Sequence, residues 1–102
     1  MEKFKPINVE DAQKLIQTQA PTIVDVRDPL SYQTEHIDGA VQIDDQNIQE
    51  FLAHAPKDKP ILCYCFHGFS SQNAAQFLIE NGFSEVYSMD GGFEEWKNFA
   101  AK

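Results

Sequence analysis

Residues 61–72, Ile61-Leu62-Cys63-Tyr64-Cys65-Phe66-His67-Gly68-Phe69-Ser70-Ser71-Gln72, decide how the rest of the chain is read. An apolar run stops abruptly at Cys65 and gives way to a small polar loop, the pattern of a buried strand that delivers a side chain into a turn. Beyond the loop, Ala74, Ala75, Phe77, Leu78 and Ile79 recur at helical spacing, and Gly82 stands where a helix C-terminus adopts left-handed backbone. The spacing predicts a helix over 72–81. A strand, a short loop and a helix N-terminus together aim backbone N–H groups and the positive end of a helix dipole at one point, which favours an anion there. Cys65 lies at that point. Such surroundings lower a thiol pKa from roughly 8.5 to about 3.5–7.5, so Cys65 is expected to be a thiolate at neutral pH. Cys63, inside the apolar run, reads as an inert buried cysteine.

Working outward, the 102 residues predict one domain over 1–102 with a single hydrophobic core. A net charge of −8 argues against nucleic acid or an anionic membrane surface as a partner, because both reward Lys and Arg clustered on one face. Arg27 is the only arginine, and residues 60–96 contain neither Lys nor Arg. An anion at the Cys65 loop must therefore be held mainly by backbone N–H groups, with His67 the only loop side chain able to carry positive charge. Two cysteines one residue apart form no disulfide framework. The N-terminal Met1 to Pro6 holds no apolar stretch of signal-peptide type, and no run approaches the roughly 18 apolar residues of a membrane helix. A reducing, cytoplasmic location is expected.

Phe4 to Ile7 reads as an edge strand, where Pro6 is tolerated because an edge position can lack a donor. Asn8 is a good N-cap for a first helix carrying Ala12, Leu15 and Ile16, which ends before Pro21. Thr22 to Val26 reads as a buried parallel strand that brings Asp25 and Arg27 to its C-terminal end. Asp28-Pro29 is an N-cap followed by an N1 proline and starts a brief helix to about Glu35. A turn over 36–40 leads to a short strand at 41–43, then to a helix over 46–53 with Ile48, Phe51 and Leu52 inward. The stretch from Pro56 to Pro60 is a linker. Val86, Tyr87 and Met89 suggest a last strand, Gly91-Gly92 a tight turn, and Phe93 to Phe99 a final helix with Phe93 and Trp96 inward. Strands alternating with helices predict a three-layer α/β domain, its central sheet mostly parallel with about five strands. Ligands bind such sheets beyond the carboxyl ends of the strands, where Cys65 falls.

Rival chemistries fit these residues less well. No P-loop and no G-x-G-x-x-G opens a helix, which argues against a nucleotide. Cys63, Cys65 and His67 lack a fourth ligand and C-x-x-C spacing, which argues against zinc. A cysteine hydrolase needs a histidine base against the sulfur; His36 and His54 stay open for that role, with a surface role as the default. Cysteine phosphatases and arsenate reductases place an arginine clamp six positions after the nucleophile. That position holds Ser71. Ser71→Arg is accordingly expected to shift preference toward phosphate-like anions, provided the loop accommodates the change.

Three segments resemble the rhodanese domain, and within that family the small single-domain bacterial thiosulfate sulfurtransferases of the GlpE type. Residues 23–29 with 35–40 resemble the first signature box, Cys65-Phe66-His67-Gly68-Phe69-Ser70 the six-residue active loop, and Asp90-Gly91-Gly92-Phe93-Glu94-Glu95-Trp96 the closing box. Glu35, Asp38 and Ser31 depart from the residues many relatives carry, and the pairing partner of Arg27 stays open. The default reading of Asp25, Arg27, His36 and Trp96 is that they hold the fold and the base of the loop. The resemblance implies a sulfurtransferase: Cys65 takes the sulfane sulfur of thiosulfate as a persulfide, releases sulfite, and passes the sulfur to cyanide or a cellular thiol. It implies Cys65 as the catalytic residue and Phe66, His67, Gly68, Phe69, Ser70 and Ser71 as the substrate-binding loop, with no metal and no organic cofactor. A thioredoxin-like protein is among the candidate acceptors, and the chain is expected to be a monomer or weak dimer. The alternative is a persulfide carrier or sulfur-relay binding module that works with a protein partner; with no tail, linker or fused domain expected for docking one, the enzyme is the favoured expectation.

Overall fold

The computed structural model describes residues 3–100. The expected domain limits at 1 and 102, and the first two residues of the N-terminal reading, lie outside the described residues. The elements are β1 (Lys5–Ile7), α1 (Val9–Gln19), β2 (Thr22–Asp25), α2 (Pro29–Thr34), β3 (Val41–Gln42), α3 (Ile48–His54), β4 (Ile61–Tyr64), α4 (Ser70–Glu80), β5 (Val86–Met89) and α5 (Gly92–Ala100). The five strands form one sheet in the order β1-β5-β4-β2-β3, and every neighbouring pair is parallel. The sheet is thus wholly parallel where a mostly parallel one was expected. No helix among the described residues is long and apolar enough to cross a membrane.

Side chains alternate across a strand, and β4 shows what that does at the sheet's centre. Ile61 and Cys63 enter one core with Val24, Val86, Ala75, Leu78 and Phe83, against which Ile48, Phe51 and Leu52 of α3 pack. Leu62 and Tyr64 enter the other, with Val9, Ala12 and Leu15 of α1 and Phe93 of α5; Trp96 packs against its edge. Helices α3 and α4 therefore cover one face and α1 and α5 the other. The caps form as the residue types demand: the Asn8 side chain accepts from the Asp11 N–H at 2.7 Å, and Asp28 accepts from the Ser31 N–H at 3.0 Å with Pro29 opening α2.

Element boundaries differ from the expected ones where side chains intervene. Helix α3 opens at Ile48 instead of Gln46, because the Asp44 carboxylate accepts from the N–H groups of Gln46 at 2.9 Å and Asn47 at 3.3 Å and closes a turn there. Strand β3 ends at Gln42, one residue early, although the Ile43 N–H still donates to the Asp25 carbonyl at 2.9 Å. Helix α5 starts at Gly92, one residue before Phe93. Helix α4 starts at Ser70, two residues before Gln72, with consequences for the site.

The partner of Arg27 is Asp25. The guanidinium Nη2 and Nε donate to Asp25 Oδ2 at 2.7 and 3.1 Å, Nε also reaches Oδ1 at 3.1 Å, and Nη2 donates to the Glu35 carbonyl at 2.6 Å. The Tyr64 hydroxyl donates to Asp25 Oδ2 at 2.7 Å and accepts from the Ile37 N–H at 3.1 Å. This network is buried and fully paired, which is the condition for charge to be tolerated inside. Arg27→Ala leaves the Asp25 carboxylate buried without its cation and is expected to cost about 3–5 kcal/mol in urea unfolding. Lys14→Ala, which breaks only the exposed pair with Glu10, is expected to cost under about 0.5 kcal/mol. Similar losses for the two variants would contradict this account of the pair.

Candidate active site

Cys65 follows directly on β4, and two-residue alternation from Ile61 and Cys63 sends its side chain toward α4. There Cys65 Sγ accepts from the N–H of Gly68 at 3.2 Å and from the N–H of Ser71 at 3.3 Å. Ser70 and Ser71 form the first turn of α4, so the second of these donors is a helix N-terminal amide that carries the dipole's positive end. Only 3 % of Cys65 is exposed. Burial opposes its ionisation, but the hydroxyls of Ser70 and Ser71 and the N–H groups of Ser71 and Gly68 favour the anion and together hold the thiol down at about 7. Burial, reinforced by the negative charges of Cys65 and Asp25, pushes the Cys63 thiol far up and keeps it protonated.

The loop is clamped from the other side by the start of α5. The N–H groups of Phe93 and Glu94 donate to the carbonyls of Cys65 at 2.8 Å and Phe66 at 3.1 Å. That approach is close enough to require glycine: a Cβ on Gly92, whose φ is +61°, would lie 2.5 Å from the Phe66 carbonyl. A Cβ on Gly68, φ +94°, would lie 2.8 Å from the Gly91 nitrogen. Below the loop, the Arg27 guanidinium sits 4.3 Å from the Phe93 ring centre and 5.2 Å from that of Phe66. Arg27 thus supports the loop's base and spends its charge on Asp25.

Of the seven residues expected to form the site, the structure gathers Cys65, Gly68, Ser70 and Ser71 around the sulfur. Phe66, His67 and Phe69 lie on the rim as exposed residues, Phe69 at 77 %. The N–H groups of Phe66, His67, Phe69 and Ser70 have no partner among the described residues. His36 and His54 each bond a carbonyl one helical turn back through Nδ1, to Tyr32 at 2.8 Å and Glu50 at 3.1 Å, and neither is placed as a base for Cys65. His36 stacks on Tyr32 with ring centres 4.0 Å apart.

Ser71, at the position of a phosphatase arginine, is fully buried with its Oγ 2.8 Å from Ser88 Oγ. The condition attached to Ser71→Arg is therefore not met: the side chain at this position is buried against Ser88, and an arginine there would overpack the core. Ser88, the hydroxyl partner of Ser71, is not singled out by the sequence reading. Its signal was a lone serine in an apolar strand, on the face set by Val86.

The family model of the rhodanese-like domain matches residues 8–99. The chain belongs to the rhodanese family. This rhodanese is similar to the thiosulfate sulfurtransferase GlpE of Shewanella oneidensis, 44 % identical over 96 residues that cover 94 % of this chain and 95 % of the relative. It is also similar to the thiosulfate sulfurtransferase GlpE of Pseudomonas savastanoi, 48 % identical over 97 residues covering 95 % and 91 %. Among solved structures, a rhodanese-related protein from Thermoplasma volcanium superposes with a TM-score of 0.80 at 28 % identity, covering 94 % of this chain and 93 % of that one.

The depressed thiol has a readable consequence in this rhodanese. Alkylation at Cys65 is expected to be fast above pH 7 and to fall as pH drops through about 7, as the thiolate takes up its proton. Cys63 is expected to stay unmodified in the folded protein. Peptide mapping of iodoacetamide adducts against pH measures both, and a Cys65 midpoint near the ordinary value of roughly 8.5 would contradict the site geometry.

Proposed function

We propose that this chain is a thiosulfate sulfurtransferase in which Cys65 carries the sulfur and the 66–71 segment binds it. The observation that carries the reading is a thiolate-stabilising cradle of N–H and O–H donors around Cys65, with no arginine clamp at Ser71. The relatives named as thiosulfate sulfurtransferases support the substrate. The Cys65 thiolate attacks the outer sulfur of thiosulfate; a Cys65 S–S bond forms, the S–S bond of thiosulfate breaks, and its electron pair leaves with sulfite. The product is an anionic persulfide. Its terminal sulfur stands about 2 Å beyond Sγ, where the unpaired N–H groups of Phe66, His67, Phe69 and Ser70 are the backbone donors left to receive it. Cyanide or a thiolate then attacks that sulfur, leaves as thiocyanate or a new persulfide, and returns Cys65 as thiolate. The first step exchanges one sulfur anion for another, and in the second an anionic nucleophile, cyanide or a thiolate, displaces the Cys65 thiolate, so neither step calls on a metal or organic cofactor.

The finer reading is a single domain over 1–102 that acts in the cytoplasm as a monomer or weak dimer, with a thioredoxin-like dithiol as one acceptor. One observation favours a carrier role beside the enzymatic one. Phe66 and Phe69 are large, apolar and exposed on the rim of the sulfur site, at 44 % and 77 %, which suits contact with a protein acceptor. Saturable turnover of free thiosulfate marks the enzyme; negligible turnover with rapid persulfide exchange to a protein thiol marks the carrier.

Cys65→Ala is expected to abolish thiosulfate:cyanide transfer while keeping the fold, and Cys63→Ser to retain most of it, since Cys63 lies in the core with no route to substrate. Thiocyanate formation and thermal unfolding of both variants decide it. An active Cys65→Ala with a folded but inactive Cys63→Ser would reverse the assignment.

A further inference from the structure

Ser88 lies on β5 in register with Cys63 of β4, two residues before Cys65, and alternation turns both Ser88 and Cys63 toward α4. Its hydroxyl oxygen is 2.8 Å from that of Ser71, and both residues are 0 % exposed. Ser71 in turn donates its backbone N–H to Cys65 Sγ at 3.3 Å. Water does not reach this pair, so the two hydroxyl protons have few places to go. If Ser71 donates to Ser88, a Ser71 lone pair is left toward the sulfur, which repels an anion. If Ser88 donates to Ser71, the Ser71 proton is released toward the sulfur, which stabilises one.

We propose that Ser88 is a positioning residue for the chemistry at Cys65, holding the Ser71 hydroxyl so that its proton faces the anionic sulfur. Among the described residues the Cys65 sulfur takes its backbone hydrogen bonds from Gly68 and Ser71 and the Ser88 hydroxyl bonds Ser71, so Ser88 acts through Ser71. The stabilising effect of the Ser71 hydroxyl on the Cys65 anion agrees with this. The arrangement also explains a polar residue in an otherwise apolar strand, fully buried and fully paired. The inference rests on Cys65 as the nucleophile, but ionisation of the sulfur is measured without turnover, so its outcome is separate from that of the sulfurtransferase reading.

The test is the midpoint of Cys65 ionisation, read from the pH dependence of iodoacetamide alkylation with the modified peptide identified by mass. The titratable and charged groups around the loop are Cys63, the Asp25–Arg27 pair, Glu35, His67, Asp90, Glu94, Glu95 and Lys97, and none is altered by the substitutions. Ser88→Ala is expected to raise the midpoint by about one pH unit, the scale of a weakened hydrogen bond to a charged group. In a Ser71→Ala background the same substitution is expected to move it by no more than about 0.3, because the intermediary is gone. Should Ser88→Ala not fold, Ser88→Thr and Ser88→Val give the same comparison at equal shape, with Thr near the unsubstituted midpoint and Val raised. An unmoved midpoint in folded Ser88→Ala or Ser88→Val, or a full shift in the Ser71→Ala background, would overturn the proposal.

Discussion

An ionised sulfur survives inside a protein only where donors surround it, and the need for those donors at one point governs much of this fold. A thiolate 3 % exposed cannot borrow water. Its hydrogen bonds come from a loop amide, Gly68, and from the first turn of α4. Those groups meet the sulfur because Cys65 continues the alternation of β4 onto the α4 face. A shift of one residue in that strand would put the thiol on the face covered by α1 and α5, away from the Gly68 and Ser71 amides that hold it.

The rest of the molecule holds this geometry still. The start of α5 grips the carbonyls of Cys65 and Phe66 from one side, at an approach that only glycine at 92 permits. Arg27 fills the space beneath Phe66 and Phe93, fixed in place by Asp25 and by the Glu35 carbonyl. Tyr64, whose phenol is pushed up by burial and by its bond to Asp25, stays a donor and joins the same network to the turn at Ile37. The three sequence segments that resemble the rhodanese boxes are therefore one mechanical unit: a base, a loop and a clamp. Each contributes what a short loop with no lysine or arginine cannot supply for itself.

Much of this was legible in the sequence because its causes are local. The end of an apolar run at Cys65, the helical spacing after it, and the Asn8 and Asp28-Pro29 caps all act within a few residues, and a mostly parallel sheet of about five strands follows from the alternation of strand and helix; that every pair is parallel appears only once the strands have packed. The start of α4 was not legible, since a first helical turn owes its place to donors at the sulfur and not to apolar periodicity; Ser70 and Ser71 read as loop by composition. The partner of Arg27 was obscured because Arg27 lies past the end of β2, where strand alternation no longer says which way a side chain turns. Ser88 was passed over because its partner, Ser71, is 17 positions away on another element. Contacts of that kind exist only once helix and strand have packed.

The central claim is that the donors around Cys65 exist to hold a sulfur anion there, first the thiolate and then the persulfide. The most direct measurement is the mass of the Cys65 peptide after the reduced, folded protein has been incubated with thiosulfate and freed of excess reagent. A gain of one sulfur atom on that peptide, removed again by cyanide, is the predicted result. An unmodified Cys65 in a sample shown to be folded and reduced would contradict it.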